Sequence, residues 1–249
     1  MENTKISWCD NTVNLWIGCS KINEACKNCY AEKISNRFGD DVWGEDKQRK
    51  FVKSAFENLD KYQKKAEKQN KKVKVFIGSM MDIFEDDKKV IDLIRTTNDL
   101  RKKLFINILF NYYPNLIFLF LTKRPENIID YIPFEWRENQ PDNVWFGVSV
   151  FNEESAFKSR EILINSKLTK NIFYSIEPQL EPINNIDLRY VDWVIQGGES
   201  GQNNRHFKLE WAERMRNICK EQNTPYFFKQ IDGKKEIPEH LNFKEYPEF

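Results

Sequence analysis

Residues 116–121 read Leu-Ile-Phe-Leu-Phe-Leu, six apolar side chains in succession. A strand with one wet face alternates apolar and polar positions. A run with no polar position needs cover on both faces, as in a parallel sheet enclosed by helices. Similar runs recur at 73–78, 143–148, 171–176, 191–196 and 225–230. Helical spacing fills the intervals at 87–110, 126–131, 153–165 and 208–222, the last with Leu209, Ala212, Met215, Ile218 and Cys219 on one face. Ahead of the first run, 53–70 reads as an amphipathic helix with Phe56, Leu59 and Tyr62 inward. The segment 30–38 reads as a helix with Ile34 and Phe38 in step, and 13–17 as a short strand ending at Gly18. The alternation predicts an α/β fold: a partial or complete (β/α) barrel of about six to seven parallel strands, with a doubly wound open sheet as the alternative. The expected organisation is a single domain over 1–249, opened by 1–38 and closed by a polar tail at 232–249.

Polar residues fall just past the strand ends: Cys19, Asp82, Lys123 with Arg124, Ser149, Glu177, Glu199 and Lys229. In a β/α barrel such positions converge on the C-terminal mouth, where barrel enzymes work. That regularity points to an enzyme more than any single residue does.

Lysine and arginine total 39 against 38 acidic residues, so bulk electrostatics demand no nucleic-acid partner. A local patch would have to serve. Residues 61–74 are strongly basic, and read either as a solvated helix end or as a contact to a phosphate backbone; Trp8, Trp16, Trp43 and Tyr30 are aromatics that could stack bases. The opening residues lack the apolar segment of a signal peptide, and no run of 18 apolar residues exists, so no membrane span is expected. Five cysteines without an export signal suit a reducing cytoplasm.

Three of the five cysteines, Cys19, Cys26 and Cys29, share one loop with spacing C-x6-C-x2-C. In a chain without secretory features this points to metal or iron–sulfur ligation rather than a disulfide. Structural zinc wants four ligands, and the next Cys or His downstream is His206. A cubane cluster held by three thiolates leaves one iron open to a substrate or cofactor. Zinc with a remote ligand and incidental thiols are the alternatives. Cys9 reads as a partly buried free thiol or a further ligand, and Cys219 as core. Gly197-Gly198 lacks a phosphate-loop frame and reads as a tight turn admitting a ligand near the backbone. His206 reads as a loop residue or a substrate contact.

The cysteine loop, with Tyr30 after the last cysteine, resembles that of the radical SAM superfamily, whose usual spacing is C-x3-C-x2-C. A closer resemblance spans nearly the whole chain, to a family of phage and bacterial radical SAM-like proteins with a three-cysteine motif. It rests on Ile6-Ser7-Trp8, Gly18-Cys19, Cys26-x2-Cys29-Tyr30-Ala31, Ser79-Met80-Met81-Asp82-Ile83-Phe84, Leu121-Thr122-Lys123-Arg124-Pro125, Val144-Trp145-Phe146-Gly147-Val148-Ser149, Glu177-Pro178-Gln179-Leu180, Gly197-Gly198-Glu199-Ser200-Gly201 and Phe227-Phe228-Lys229-Gln230, in that order. Val13 and Leu15 stand where that family has Trp and Pro.

The resemblance implies that Cys19, Cys26 and Cys29 hold a [4Fe–4S] cluster and that S-adenosylmethionine binds its open iron. It also implies cleavage to a 5′-deoxyadenosyl radical that abstracts hydrogen from a substrate, with nucleic acid one candidate, using electrons from a flavodoxin- or ferredoxin-like donor. Asp82, with Ser79, is then the candidate for the amino group of the methionine moiety, and Lys123 or Arg124 for its carboxylate. Ser149 or Glu177 would meet the ribose and Tyr30 the adenine, with Gly197 and Gly198 lining the site and Lys123, Glu177 and Glu199 as catalytic candidates. Two other readings stand beside it. One is a non-catalytic protein, nucleic-acid-binding or associated with phage or defence, with a structural metal site. The other is a barrel hydrolase or lyase using Asp82, Glu177 and Glu199 as acid and base.

Overall fold

The computed structural model describes residues 4–86, 89–200, 203–233 and 235–249. Gly201, the last residue of the Gly197 motif, lies outside them, as do 87–88 at the start of the expected helix 87–110. The fold is α/β, a partial (β/α) barrel with one seven-stranded parallel sheet and flanking helices. Where the sequence reads as one domain, the chain packs as two compact units: Met1–Ile22 with Ala31–Trp145 and Phe249, and Asn23–Tyr30 with Phe146–Glu248.

The first unit contains, in chain order, β1 (Asn11–Val13), β2 (Trp16–Ile17), α1 (Tyr30–Arg37, from Ala31 on), β3 (Lys50–Phe51), α2 (Ala55–Lys68), β4 (Val73–Ile77), β5 (Val90–Asp92), β6 (Arg95–Thr96), α3 (Thr97–Leu109), β7 (Leu116–Thr122), α4 (Ile128–Tyr131) and α5 (Phe134–Glu138). Strands β1, β4 and β7 pair side by side in parallel, with Val13 opposite Ile77 and Ile77 opposite Phe120. From Leu116 to Phe120 every β7 side chain is buried, at roughly 1.5–3 kcal/mol for each large one. Phe105 of α3 packs edge-on against Phe120 at 5.5 Å.

Three local expectations are corrected here. The sheet strand is 11–13; Trp16 and Ile17 leave it to pair antiparallel with Phe51 and Lys50. Residues 90–96 form an antiparallel hairpin, and the helix starts at Thr97, where Thr96 and Asp99 form a reciprocal capping box. In α1 the buried residues are Ala31 and Ser35, whereas Phe38 is 80% exposed.

The second unit contains β8 (Val144–Ser149, from Phe146 on), α6 (Glu153–Asn165), β9 (Ile172–Ile176), β10 (Trp193–Gly197), α7 (Leu209–Glu221) and β11 (Tyr226–Gln230). Its strands pair in the order β8-β9-β10-β11, all parallel. A Cβ at Gly147 would sit 2.1 Å from the Phe173 ring, so only glycine lets that ring lie flat against β8. Trp211 joins Ala212, Met215 and Cys219 on the buried face of α7. The tail is not loose: Phe228 N donates to Phe243 O at 2.9 Å, Glu245 N to Tyr226 O at 3.1 Å, and Leu241 is buried. No helix among the described residues is long and apolar enough to cross a membrane.

Candidate functional site

In the first unit, the strand-end residues Asp82 and Arg124 lie beside Cys19. Gly18 takes φ +119°, and a Cβ there would meet Val42 O at 2.3 Å, so glycine is required where the chain turns into the cysteine loop. Arg124 Nη1 donates to Cys19 Sγ at 3.7 Å and to Asp82 Oδ2 at 2.9 Å, and its Nη2 donates to Ser20 O at 2.9 Å. Asp82 accepts three more hydrogen bonds: from Thr122 Oγ1 (2.7 Å), Phe84 N (3.0 Å) and Lys123 N (3.2 Å). Four bonds are a full complement for a carboxylate. All four acceptor positions of Asp82 are taken by the protein's own donors, Arg124 among them. Arg124, 6% exposed, donates to Asp82 and to the cysteine loop.

The charges act on one another. Burial, then the Asp82 and Glu85 carboxylates, push the Cys19 thiol up to about 12, against the pull of Arg124. The thiol is thus protonated at neutral pH in this state. Burial works against the Arg124 charge, but the Asp82 carboxylate holds it firmly protonated.

A second buried pair lies behind. Arg49 donates through Nη2 to Glu85 Oε1 (2.6 Å) and Ser20 Oγ (2.8 Å), and through Nε to Glu85 Oε2 (2.9 Å). Its Nη1 serves the carbonyls of Val42, Gly44 and Lys47. Ser20 Oγ in turn donates to Glu85 Oε1 at 3.1 Å. Neither Arg49 nor Glu85 stood out in the sequence. Arg49 lies in a polar run that reads as loop, and no local pattern links it to Glu85.

In the second unit the other two cysteines are tethered by a matching device. Cys26 closes a short 3-10 turn, Glu24–Cys26, and Cys29 N donates to Cys26 O at 3.3 Å. Glu199, past the end of β10, accepts from Asn28 Nδ2 (2.9 Å), Arg205 N (2.7 Å), Arg205 Nε (2.9 Å) and Arg205 Nη2. Arg205 also reaches Glu24, its Nη1 to Oε1 and its Nη2 to the carbonyl, both at 3.3 Å. Glu199 thus resembles Asp82: a carboxylate whose four hydrogen bonds all come from the protein's own donors. Asn28 and Arg205 escaped the sequence reading, since an Asn within Cys-Lys-Asn-Cys carries no signal of its own.

Burial opposes ionisation of Glu199, yet the bonds from Arg205 and Asn28 hold its carboxyl below the usual range. The stabilisation this gives is complete above the ordinary glutamate pKa of about 4.3 and is lost as pH falls through the lowered folded value. Glu199→Gln should therefore melt below wild type at pH 7, with the gap narrowing from about pH 4 downward. Thermal melts of both proteins across pH 3–7 check this; a gap that widens on acidification would overturn it.

Elsewhere in the second unit, Lys229 Nζ lies 3.0 Å from Glu177 Oε1, and Ser175 Oγ donates to Glu177 Oε2 at 3.4 Å. Gly197 and Gly198 are filled by the protein itself: a Cβ would come within 2.8 Å of Glu177 Oε1 at the first and of Asp232 N at the second. At these two positions the backbone lies close against Glu177 and Asp232. Ser149 is buried at the end of β8, opposite Ser175. Tyr30, half-buried, begins α1. In the first unit Ser79 Oγ accepts from Asn14 Nδ2 at 2.9 Å, and Lys123 is half-buried. His206 is exposed, its Nδ1 3.3 Å from Asp232 Oδ2.

All five cysteines are outside disulfides. Among the described residues, no group of three or more His, Cys, Asp or Glu is placed to hold a metal ion with the side chains as they stand. No curated protein and no solved structure matches the chain. A family model does match, over residues 3–243, nearly the full length. The chain belongs to that family, described as proteins of unknown function, DUF5131.

Proposed function

We propose that the chain is a radical S-adenosylmethionine enzyme whose Cys19, Cys26 and Cys29 hold a [4Fe–4S] cluster. One observation carries the reading. Both flanks of the cysteine loop are fixed by saturated carboxylate–arginine clamps, Asp82 with Arg124 on Cys19 and Glu199 with Arg205 around Cys26 and Cys29. Enclosing charge in this way is costly and is a poor means of gaining stability alone. It makes sense where the positions of the thiols matter.

The donor set fits a cluster: three thiols outside disulfides, one of them accepting an N–H from Arg124, the kind of contact that tunes cluster sulfurs. When bound, the cluster supplies the electron that cleaves S-adenosylmethionine to a 5′-deoxyadenosyl radical. The chain's own residues bind and orient. Lys123 pairs with the cofactor carboxylate. Ser149 meets the ribose, Tyr30 the adenine, and Glu177 with Lys229 places a carboxylate–ammonium pair at the substrate. Asp82, Arg124 and Glu199 are positioning residues. The hydrolase reading loses ground because Asp82 and Glu199 accept four hydrogen bonds each and have none left for proton transfer.

Anaerobic reconstitution tests this. Wild type should take up about four irons per chain with brown colour and, once reduced, release 5′-deoxyadenosine. Cys19→Ala, Cys26→Ala and Cys29→Ala should each lose most of the iron and all of the product, whereas Cys9→Ala should keep both. A colourless wild type, or a Cys29→Ala protein loading iron normally, would sink the proposal.

A further inference from the structure

At the opposite, N-terminal ends of β4 and β7, the first unit carries a surface that the cysteine chemistry does not use. Residues 61–74 hold seven lysines and one glutamate in a chain whose total charge is +1, so charge is segregated. Lys61, Lys64, Lys68, Lys71 and Lys72 are exposed. Of the acids on α2, Glu67 accepts from Gln63 Nε2 at 2.8 Å and Asp60 from Tyr113 OH at 3.1 Å.

Alongside runs the 110–115 loop. Gln63 and Asn115 exchange hydrogen bonds at 3.0 Å, and Lys72 Nζ donates to Pro114 O at 2.6 Å. This loop shows two large rings to solvent, Phe110 at 66% and Tyr112 at 62% exposure, their centroids 6.4 Å apart. Ile106, one turn earlier on α3, is 48% exposed.

Exposed lysines beside tilted, exposed aromatic rings match a polymer with regularly spaced phosphates and accessible flat bases. A folded acidic protein would engage the lysines but has no use for two splayed rings. A duplex would meet the lysines but hides its base faces. We infer that the surface formed by Lys64, Lys68, Lys71, Lys72, Phe110 and Tyr112 binds single-stranded nucleic acid. Trp8 and Trp16, the tryptophans nearest the cysteine loop in sequence, cannot serve, since both are buried. The stacking groups are Phe110 and Tyr112 instead.

Fluorescence anisotropy with labelled 20-mer oligonucleotides tests it, using DNA and RNA single strands and a DNA duplex. Four lysine contacts imply a slope near −3 in log affinity against log salt, so binding should weaken about 50-fold between 50 and 200 mM salt. Lys64→Glu/Lys68→Glu/Lys71→Glu/Lys72→Glu should abolish binding. Phe110→Ala/Tyr112→Ala should cost roughly tenfold or more on single strands and little on duplex. Both ring positions are exposed, and circular dichroism melts confirm folding. No single-strand binding by wild type at 50 mM salt, or equal binding by the ring variant, would overturn the inference. So would sedimentation with phosphatidylserine vesicles that is lost in these variants while oligonucleotides do not bind. Cys29→Ala, without iron, should bind normally, so this result is independent of the cluster proposal.

Discussion

Arg49→Ala should lower the midpoint of thermal unfolding by roughly 6–20 °C, from a loss of ~3–5 kcal/mol on breaking a buried ion pair in a chain of this size. The Arg49 and Glu85 side chains are 0% and 1% exposed, so removal of the guanidinium strands the Glu85 carboxylate in the interior. It also orphans the carbonyls of Val42, Gly44 and Lys47, which Nη1 serves. Buried acceptors without partners each add to the cost. Arg49→Lys should recover little, because an ammonium has three donors and cannot span Glu85, Ser20 and three carbonyls. The double variant Arg49→Met/Glu85→Met separates the two contributions. It removes the stranded charge and should melt above Arg49→Ala, yet it leaves the carbonyls unpaired and should stay below wild type. A melt of Arg49→Ala within about 2 °C of wild type would mean that water reaches Glu85 and that the pair does not organise the loop.

The parallel strands were legible because burial on both faces leaves no ambiguity of period. Runs such as 172–176 and 116–120 could be nothing else in a chain with these intervals. The hairpin at 90–96 was misread because Val90, Ile91, Leu93 and Ile94 fall at spacings compatible with a helix, and they run directly into one. Its correction was present in the sequence: Thr96-Thr97-Asn98-Asp99 has the form of a capping box, and that box marks the true start of α3. The strand-end rule located Asp82, Arg124 and Glu199 but not what they do. A carboxylate past a strand looks the same whether it faces a ligand or is saturated by its own protein. That difference lies in Thr122, Phe84 and Lys123 for Asp82 and in Asn28 and Arg205 for Glu199, partners brought together by tertiary structure. The exposed pair Phe110 and Tyr112 was invisible for the opposite reason, since aromatics after a helix read as core until their exposure is seen.

Arg124→Leu and Asp82→Leu should each destabilise the protein by ~3–5 kcal/mol, and together by less than the sum, with a coupling of about 1–3 kcal/mol. Each single change leaves its partner's charge uncompensated; Asp82 and Arg124 have side chains only 8% and 7% exposed. The double change removes both charges and recovers part of the stability. Cluster loading should not follow the same cycle. Arg124 is the side chain that donates to Cys19 Sγ and the Ser20 carbonyl, whereas Asp82 holds the guanidinium in place. Iron uptake on anaerobic reconstitution should therefore fall in both single variants and stay low in the double, even as its melting temperature rises. Arg124→Lys should land between wild type and Arg124→Leu: it keeps a charge for Asp82 but cannot also donate to both Ser20 O and Cys19 Sγ. A double variant that loads iron like wild type would show that the pair merely balances its own charges. Persistent loss despite restored stability would show that the guanidinium fixes where the first cysteine's sulfur stands.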